Sequence, residues 1–261
     1  MALTAKPALA HVDRWPINTP NLDAALQSAI GAAKAGEPFT VFTMNLDHLV
    51  KLRGNEKFRQ AYRNADIVTA DGAPVAWLAH YQNATVDRAT GADLLVPLAQ
   101  AAADAGLPVF LFGSSGEVLT EAVRELGDIT DGVLDIVGTQ APSRDFDPEG
   151  PEAVLAIADI ARSGAKLCFV ALGAPKQEIF AEHARQSGLA CGMICIGAAI
   201  DFLAGTQVRA PEAIRNNGLE WAWRLMTNPR RLARRYAECV VVFADVVLLA
   251  PLRHLLAKPP G

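Results

Sequence analysis

Short apolar runs alternate with stretches of helical periodicity along the first two hundred residues, and that alternation restricts the chain to few architectures. Phe39–Met44, Asp66–Ala70, Pro108–Phe112, Val133–Val137, Lys166–Leu172 and Ala190–Ile196 read as strands bounded by turn residues. Between them, helices are expected from Thr19-Pro20 to Ala35, over Glu56–Arg63, Ala73–Tyr81 and Ala92–Ala105, from Glu117 onward, over Glu152–Arg162, and through Arg185. Strands that are apolar throughout, rather than alternating, are buried on both faces, as in a parallel sheet sandwiched between helices. The expected class is α/β, with a mostly parallel sheet. Ligands of such sheets sit beyond the carboxyl ends of the strands, so the strand-end loops are where chemistry is sought.

After Pro211 the pattern changes. One helix is expected over about Glu212–Met226 and a second with Asn228 as cap and Pro229 as first residue. The division expected is a body over residues 1–208 and a helical appendage over 209–261. Charge follows the same division. From Arg224 on there are seven Lys/Arg against two Asp/Glu, a net of +5, and the whole chain is −4, which leaves −9 for residues 1–223. Arg230, Arg231, Arg234 and Arg235 group on one side of a helix, and guanidinium forks suit phosphate. The run Cys239–Leu252 beyond them is apolar but for Asp245, too short to cross a bilayer and long enough to lie along one. The alternative for it is ordinary packing on protein.

Several classes are excluded or demoted. Apolar residues make up 51% and charged residues 20%, unlike a disordered chain. Cys168, Cys191, Cys195 and Cys239 contain no Cys-x-x-Cys pair, so buried reduced thiols are expected. The first residues lack the apolar core of a signal peptide, and no apolar run is long enough to span a membrane. Nucleic acid is not an expected partner.

Among the strand-end loops, Gly113-Ser-Ser-Gly116 and Gly173-Ala-Pro-Lys-Gln-Glu178 join a strand to a helix N-terminus, where free N–H groups favour phosphate. Each also reads as an ordinary tight turn. Neither fits a P-loop or a Gly-x-Gly-x-x-Gly fingerprint, which demotes triphosphatase and dinucleotide readings. Asp71 follows an apolar strand directly and precedes Gly72, where a substrate could reach it as a general base; the plain alternative is a helix cap. Asp145-Phe-Asp147 has the spacing of a metal-holding Asp-x-Asp, but its loop position favours helix capping.

Taken together, Thr43-Met-Asn45, Ala70-Asp-Gly72, Arg88-x-Thr-Gly91, Leu172-Gly-Ala-Pro-Lys-Gln-Glu178, Gly197-Ala-Ala-x-Asp-Phe202, Arg209-Ala-Pro211, Gly218-Leu-Glu-Trp221, Arg224-Leu and Pro229-Arg-Arg-Leu-x-Arg-Arg-Tyr236 resemble the WecG/TagA/CpsF glycosyltransferases. The resemblance implies a Rossmann-like domain with a C-terminal appendage and an inverting transfer from a UDP-sugar to a sugar on a polyprenyl diphosphate. It implies work at the cytoplasmic face of a bacterial membrane, with no metal and no cofactor. By the same resemblance Asp71 is the base, with Thr43 and Asn45 beside it. Arg88 and Gln177 line the substrate site by that match, and Arg224, Arg231 and Arg234 reach the diphosphate; Gly113, Gly173, Lys176, Glu178 and Asp201, in the strand-end loops, are further expected substrate contacts. The donor sugar stays open between N-acetylmannosamine, its uronic acid and a hexose, and self-association also stays open. The competing classes are a nucleotide-sugar oxidoreductase or epimerase and a non-catalytic membrane-recruitment module. The first lacks a Tyr-x-x-x-Lys pair, since Tyr62, Tyr81 and Tyr236 have no Lys four residues on.

Overall fold

The computed structural model describes residues 7–82 and 84–249. An antiparallel hairpin of β1 (Ala10–Val12) and β2 (Trp15–Ile17) precedes a six-stranded parallel sheet. The sheet comprises β3 (Phe39–Met44), β4 (Ile67–Ala70), β5 (Val109–Gly113), β6 (Ile136–Gln140), β7 (Leu167–Ala171) and β8 (Gly192–Cys195), in the order β4-β3-β8-β7-β5-β6. Every residue of β3, β4, β5, β7 and β8 is buried, as the unbroken apolar runs require, whereas β6 at the edge is half-covered. The molecule is α/β and Rossmann-like, as expected.

Apolar cores lie on both faces of the sheet. One is built from α1 (Leu22–Ala35), α5 (Gly91–Asp104), α6 (Gly116–Ile129) and α9 (Ala199–Leu203). The other takes α2 (Leu46–Gly54), α3 (Glu56–Arg63), α4 (Ala73–His80), α7 (Pro151–Ser163) and α8 (Lys176–Gln186). The chain leaves β5 into α6 on one face and β7 into α8 on the other. Neighbouring strands with diverging exits open a crevice at their carboxyl ends.

Most expected elements are present, and the departures have physical causes. The first helix starts at Leu22, not at Pro20, because Asn21 is the cap, accepting from Ala24 N at 2.9 Å. Asn18 and Thr19 instead run along β4: Asn18 Oδ1 accepts from Val68 N at 2.8 Å and its Nδ2 donates to the Asp66 carbonyl at 2.9 Å. An outer strand otherwise exposes such backbone groups. The sixth strand lies three residues beyond the expected Val133–Val137. Gly138 packs beneath the Phe110 ring, where a Cβ would come within 2.5 Å, and this close pairing with β5 sets the position.

Beyond residue 208 the helix expected over about 212–226 is two: α10 (Glu212–Asn216) and α11 (Glu220–Thr227). Gly218 breaks them at a φ of +71°, and a Cβ there would sit 2.6 Å from that of Ala73. Only glycine meets both demands. α12 (Pro229–Ala244) follows, with a π-turn over Asp245–Leu249. Its Leu232, Cys239 and Val242 are buried. Arg235 pairs with Asp47 of α2 at 2.9 Å, Arg53 with Asp245 at 2.8 Å, and Phe243 lies 5.8 Å from the Trp77 ring. The apolar run therefore packs on protein with one side, while Val240, Val241 and Leu248 stay exposed. Among the described residues no helix is long and apolar enough to cross a membrane. Arg253, His254, Lys258 and the end of the Cys239–Leu252 run lie outside the described residues, as does the N-terminal stretch read for a signal peptide.

Candidate active site

Asp71 sits at the end of β4, fixed by its neighbours on both sides. Its N–H donates to the Met44 carbonyl at 2.7 Å, and Ala89 N donates to the Ala70 carbonyl at 2.9 Å. It does not cap α4: Gly72 occupies that position, with a φ of +93° and no side-chain bond. The half-buried carboxylate instead accepts from Thr43 Oγ1 and Asn45 Nδ2, each at 3.4 Å from Oδ2. Asn45 is also the cap of α2, its Oδ1 accepting from His48 N at 3.1 Å. With its oxygen so engaged, its amide nitrogen is left to face Asp71.

Burial pushes the Asp71 carboxyl up from 3.8 to about 6, against the Asn45 hydrogen bond. The nearby charges of Glu220 and Asp93 raise it further, and that of Arg224 opposes them. A carboxylate with this value is roughly nine-tenths ionised at pH 7 and still basic enough to take a proton in a transition state.

Behind Asp71 lies a buried polar floor. Gln177 accepts from Gly197 N at 3.0 Å and donates to Glu178 Oε1 at 2.7 Å, so it ties the end of β8 to the start of α8. Glu178 has no exposure, and burial pushes it to about 7 against the Gln177 bond. His48 lies 3.7 Å from it and shares a 2.6 Å hydrogen bond with the Tyr62 hydroxyl. Burial takes His48 down to about 3, so the imidazole is neutral. Gln177, expected to line the substrate site, thus holds the end of β8 from within, and Glu178, also expected there, is wholly buried beside it with its Oε2 unpartnered. Lys176 is exposed, but its ammonium donates to the Phe146 carbonyl at 2.8 Å and secures the 141–150 loop.

That loop contains Asp145-Phe-Asp147. Phe146 is buried against Phe112 and Phe180, and Asp147 accepts from Glu149 N at 3.1 Å, closing a turn. The triplet is a loop anchor. No group of three His, Cys, Asp or Glu that could hold a metal occurs among the described residues.

Gly113, at a φ of +120°, lies so close to β7 that a Cβ would meet the Ala171 carbonyl at 2.3 Å. Ser114 then donates to Asp201 Oδ1 at 3.3 Å, joining the ends of β5 and α9. Gly173 is exposed on the opposite lip, ahead of a cis Ala174–Pro175 bond that turns the chain into α8. Gly113, Asp201 and Gly173 therefore rim the crevice between β5 and β7.

The C-terminal helices reach the same rim. Arg88 donates to the Arg215 carbonyl at 2.9 Å. Arg209 lies 2.5 Å from Asp93 and 4.0 Å from Glu220. Asp93 itself forms a capping box with Thr90 at the start of α5. Arg224 stacks over Phe202, 5.7 Å from the ring centroid, with its charge felt at Asp71. Arg234 does not join this group: it is 92% exposed and pairs with Glu238 at 3.0 Å. The Arg231 side chain lies outside the described residues.

A family model described as "Glycosyl transferase WecG/TagA/CpsF family" matches residues 10–256. The chain belongs to this family. It is a glycosyltransferase of surface-polysaccharide synthesis, acting between a nucleotide-sugar donor and a lipid-linked acceptor.

Two concavities are lined by neither Asp71 nor its hydrogen-bond partners. A groove of about 360 Å³ runs beside β6, lined by Thr120, Val123 and Ile136 to Thr139 without a titratable side chain, and a pocket of about 30 Å³ lies among Lys57, Glu149 and His183. Four residues that shape the site drew no role from the sequence: Asp47, Asp93, Arg209 and Glu220. Thr90-x-x-Asp93 could have been read as a capping box. Nothing local marks the partners of Arg209 or Arg235.

Proposed function

We propose that this transferase moves a sugar from a UDP-sugar to a sugar carried on a polyprenyl diphosphate, with inversion, and that Asp71 is its general base. In the step, Asp71 takes the proton of an acceptor hydroxyl. That oxygen bonds to the anomeric carbon of the donor, and the bond to the UDP oxygen breaks with its electron pair leaving on UDP. Arg224, held over Phe202 near Asp71, offers positive charge to the departing diphosphate. Preorganised cations of this kind can stabilise a leaving diphosphate without a metal, and neither a metal nor a cofactor is assigned to the reaction. N-acetylmannosamine, its uronic acid and a hexose all remain candidates for the transferred sugar.

The observation that carries the reading is the setting of Asp71: a strand-end carboxylate held by Thr43 and Asn45, raised towards neutrality, beside α11. Residues 1–208 then form the catalytic body and residues 209–261 its appendage, whose described part closes over the rim and meets the cytoplasmic face of the membrane. Exposed Arg230 and Arg234, with exposed Val240, Val241 and Leu248, give α12 and its continuation the mixed surface that anionic lipid favours. The test is Asp71→Asn, assayed with a panel of UDP-sugars and a short-chain prenyl-diphosphate sugar. Turnover is expected to fall by at least ~10²-fold with circular dichroism unchanged. A folded variant with near-normal turnover would remove Asp71 from the role.

A further inference from the structure

Two carboxylates that belong to different parts of the chain converge beside Asp71. Asp93 comes from the start of α5, and the segment leading to it is joined to the residue before Asp71 by the Ala89–Ala70 hydrogen bond of 2.9 Å. Glu220 opens α11, two residues after Gly218, whose backbone lies against Ala73, two residues past Asp71. Three acidic groups gathered at one rim repel one another. Arg209 stands between the outer two: its Nη2 is 2.5 Å from Asp93 Oδ1 and 3.4 Å from Thr90 Oγ1, its Nε is 4.0 Å from Glu220 Oε1, and Arg88 adds its charge at Asp93. Its side chain is 20% exposed, as are those of Asp93 and Glu220, so solvent screens these charges only partly.

We propose that Arg209 is a positioning residue that clamps Asp93 of the body to Glu220 of the C-terminal segment and neutralises both where they flank Asp71. The clamp has two consequences. It draws α11, with Arg224, down onto the rim, as the Arg88 bond to the Arg215 carbonyl does for α10. It also keeps the field at Asp71 from becoming strongly negative, so that the carboxylate is ionised at neutral pH. The charged and polar groups facing Asp71 are Asn45 and Thr43 from the β3 end, Asp93 from α5, Glu220 and Arg224 from α11, and the Tyr62 phenol from α3. Against the upward push of burial, the Arg209 guanidinium holds Asp93 below the usual carboxylate range, as a tight pair should.

The inference rests on Asp71 as the base for its catalytic meaning, but its test reads the Asp71 carboxyl itself. The full chain would be labelled with ¹³Cγ-aspartate, the Asp71 resonance assigned by its absence from the Asp71→Asn spectrum, and its midpoint followed against pH. Arg209→Gln is expected to raise the midpoint on the order of one pH unit, because two like charges lose their partner. Glu220→Gln is expected to lower it, and Arg209→Lys to stay nearer the wild type than Arg209→Gln. An unmoved or lowered midpoint in folded Arg209→Gln overturns the proposal. If Arg209→Gln fails to fold, Glu220→Gln decides alone: a downward shift supports the clamp and an unmoved or raised midpoint overturns it. Full activity of Asp71→Asn would instead sink the base assignment and leave the midpoint result standing.

Discussion

Asn45 does two jobs with the two ends of one amide, and Asn45→Asp separates them. The new carboxylate can still accept from His48 N, so the cap of α2, now at 3.1 Å, is retained. Its loss would cost about 1 kcal/mol, so the melting temperature is expected to move little. The other end changes sign. A donor at 3.4 Å from Asp71 Oδ2 becomes a second carboxylate. Loss of the donor and gain of a like charge both disfavour ionised Asp71, and a shared carboxylate site raises one of its two pKa values by about 1–3 units. From a start of about 6, a rise of two units leaves Asp71 roughly one-tenth ionised at pH 7, where the wild type is about nine-tenths ionised. The base must be deprotonated to act, so kcat/KM at pH 7 should fall about tenfold and recover as the pH approaches 9. The assay is the pH profile of kcat/KM for both proteins, with thermal unfolding as the control. An acid limb that stays in place in a folded variant would refute the electrostatic account of the pair.

Glu178→Gln is expected to stabilise the protein above neutrality: a folded value of about 7 against 4.5 unfolded means that ionised Glu178 opposes folding. The wild-type deficit should be absent below pH 4.5, grow as pH rises towards 7 and level off above it at about 3–3.5 kcal/mol. Chemical denaturation at pH 5 and pH 8 checks this, and an equal effect at both would refute it. Gly218→Ala should cost about 1–2 kcal/mol from the left-handed backbone alone. It should also lower turnover as α11 is pushed off Ala73; unchanged kcat/KM would separate that contact from catalysis. The double change Val240→Glu and Val241→Glu, at side chains 65% and 67% exposed, should abolish co-sedimentation with anionic vesicles, whereas undiminished binding would place the membrane contact elsewhere.

Local order was legible where it is set by neighbours in the chain. The strand Phe39–Met44 and the helix Glu56–Arg63 lie at their expected residues, because period and flanking turn chemistry act within a few positions. α2 went unread because His48 and Asp47 face inward for reasons that lie in other elements, so no clean apolar stripe marks it in the sequence. The strand-end position of Asp71 was legible too, since an apolar run that stops at Asp-Gly marks a rim.

Which partners meet at that rim was decided by the tertiary structure. Arg235 reads in isolation as one of four arginines free for phosphate, yet it is spent on Asp47 of α2. The expected helix over 212–226 is broken at Gly218 by the approach of Ala73. Arg209 and Asp93 are 116 residues apart, and Thr43 and Asp71 are 28 apart. The sequence by itself determined a parallel α/β body, a basic helical end and a family's worth of strand-end motifs, because periodicity and turn chemistry are short-range. The pairing of charges, the burial that raises Asp71 and the floor of Gln177, Glu178 and His48 came only with the fold, because desolvation and Coulomb energies depend on distance in space, not along the chain.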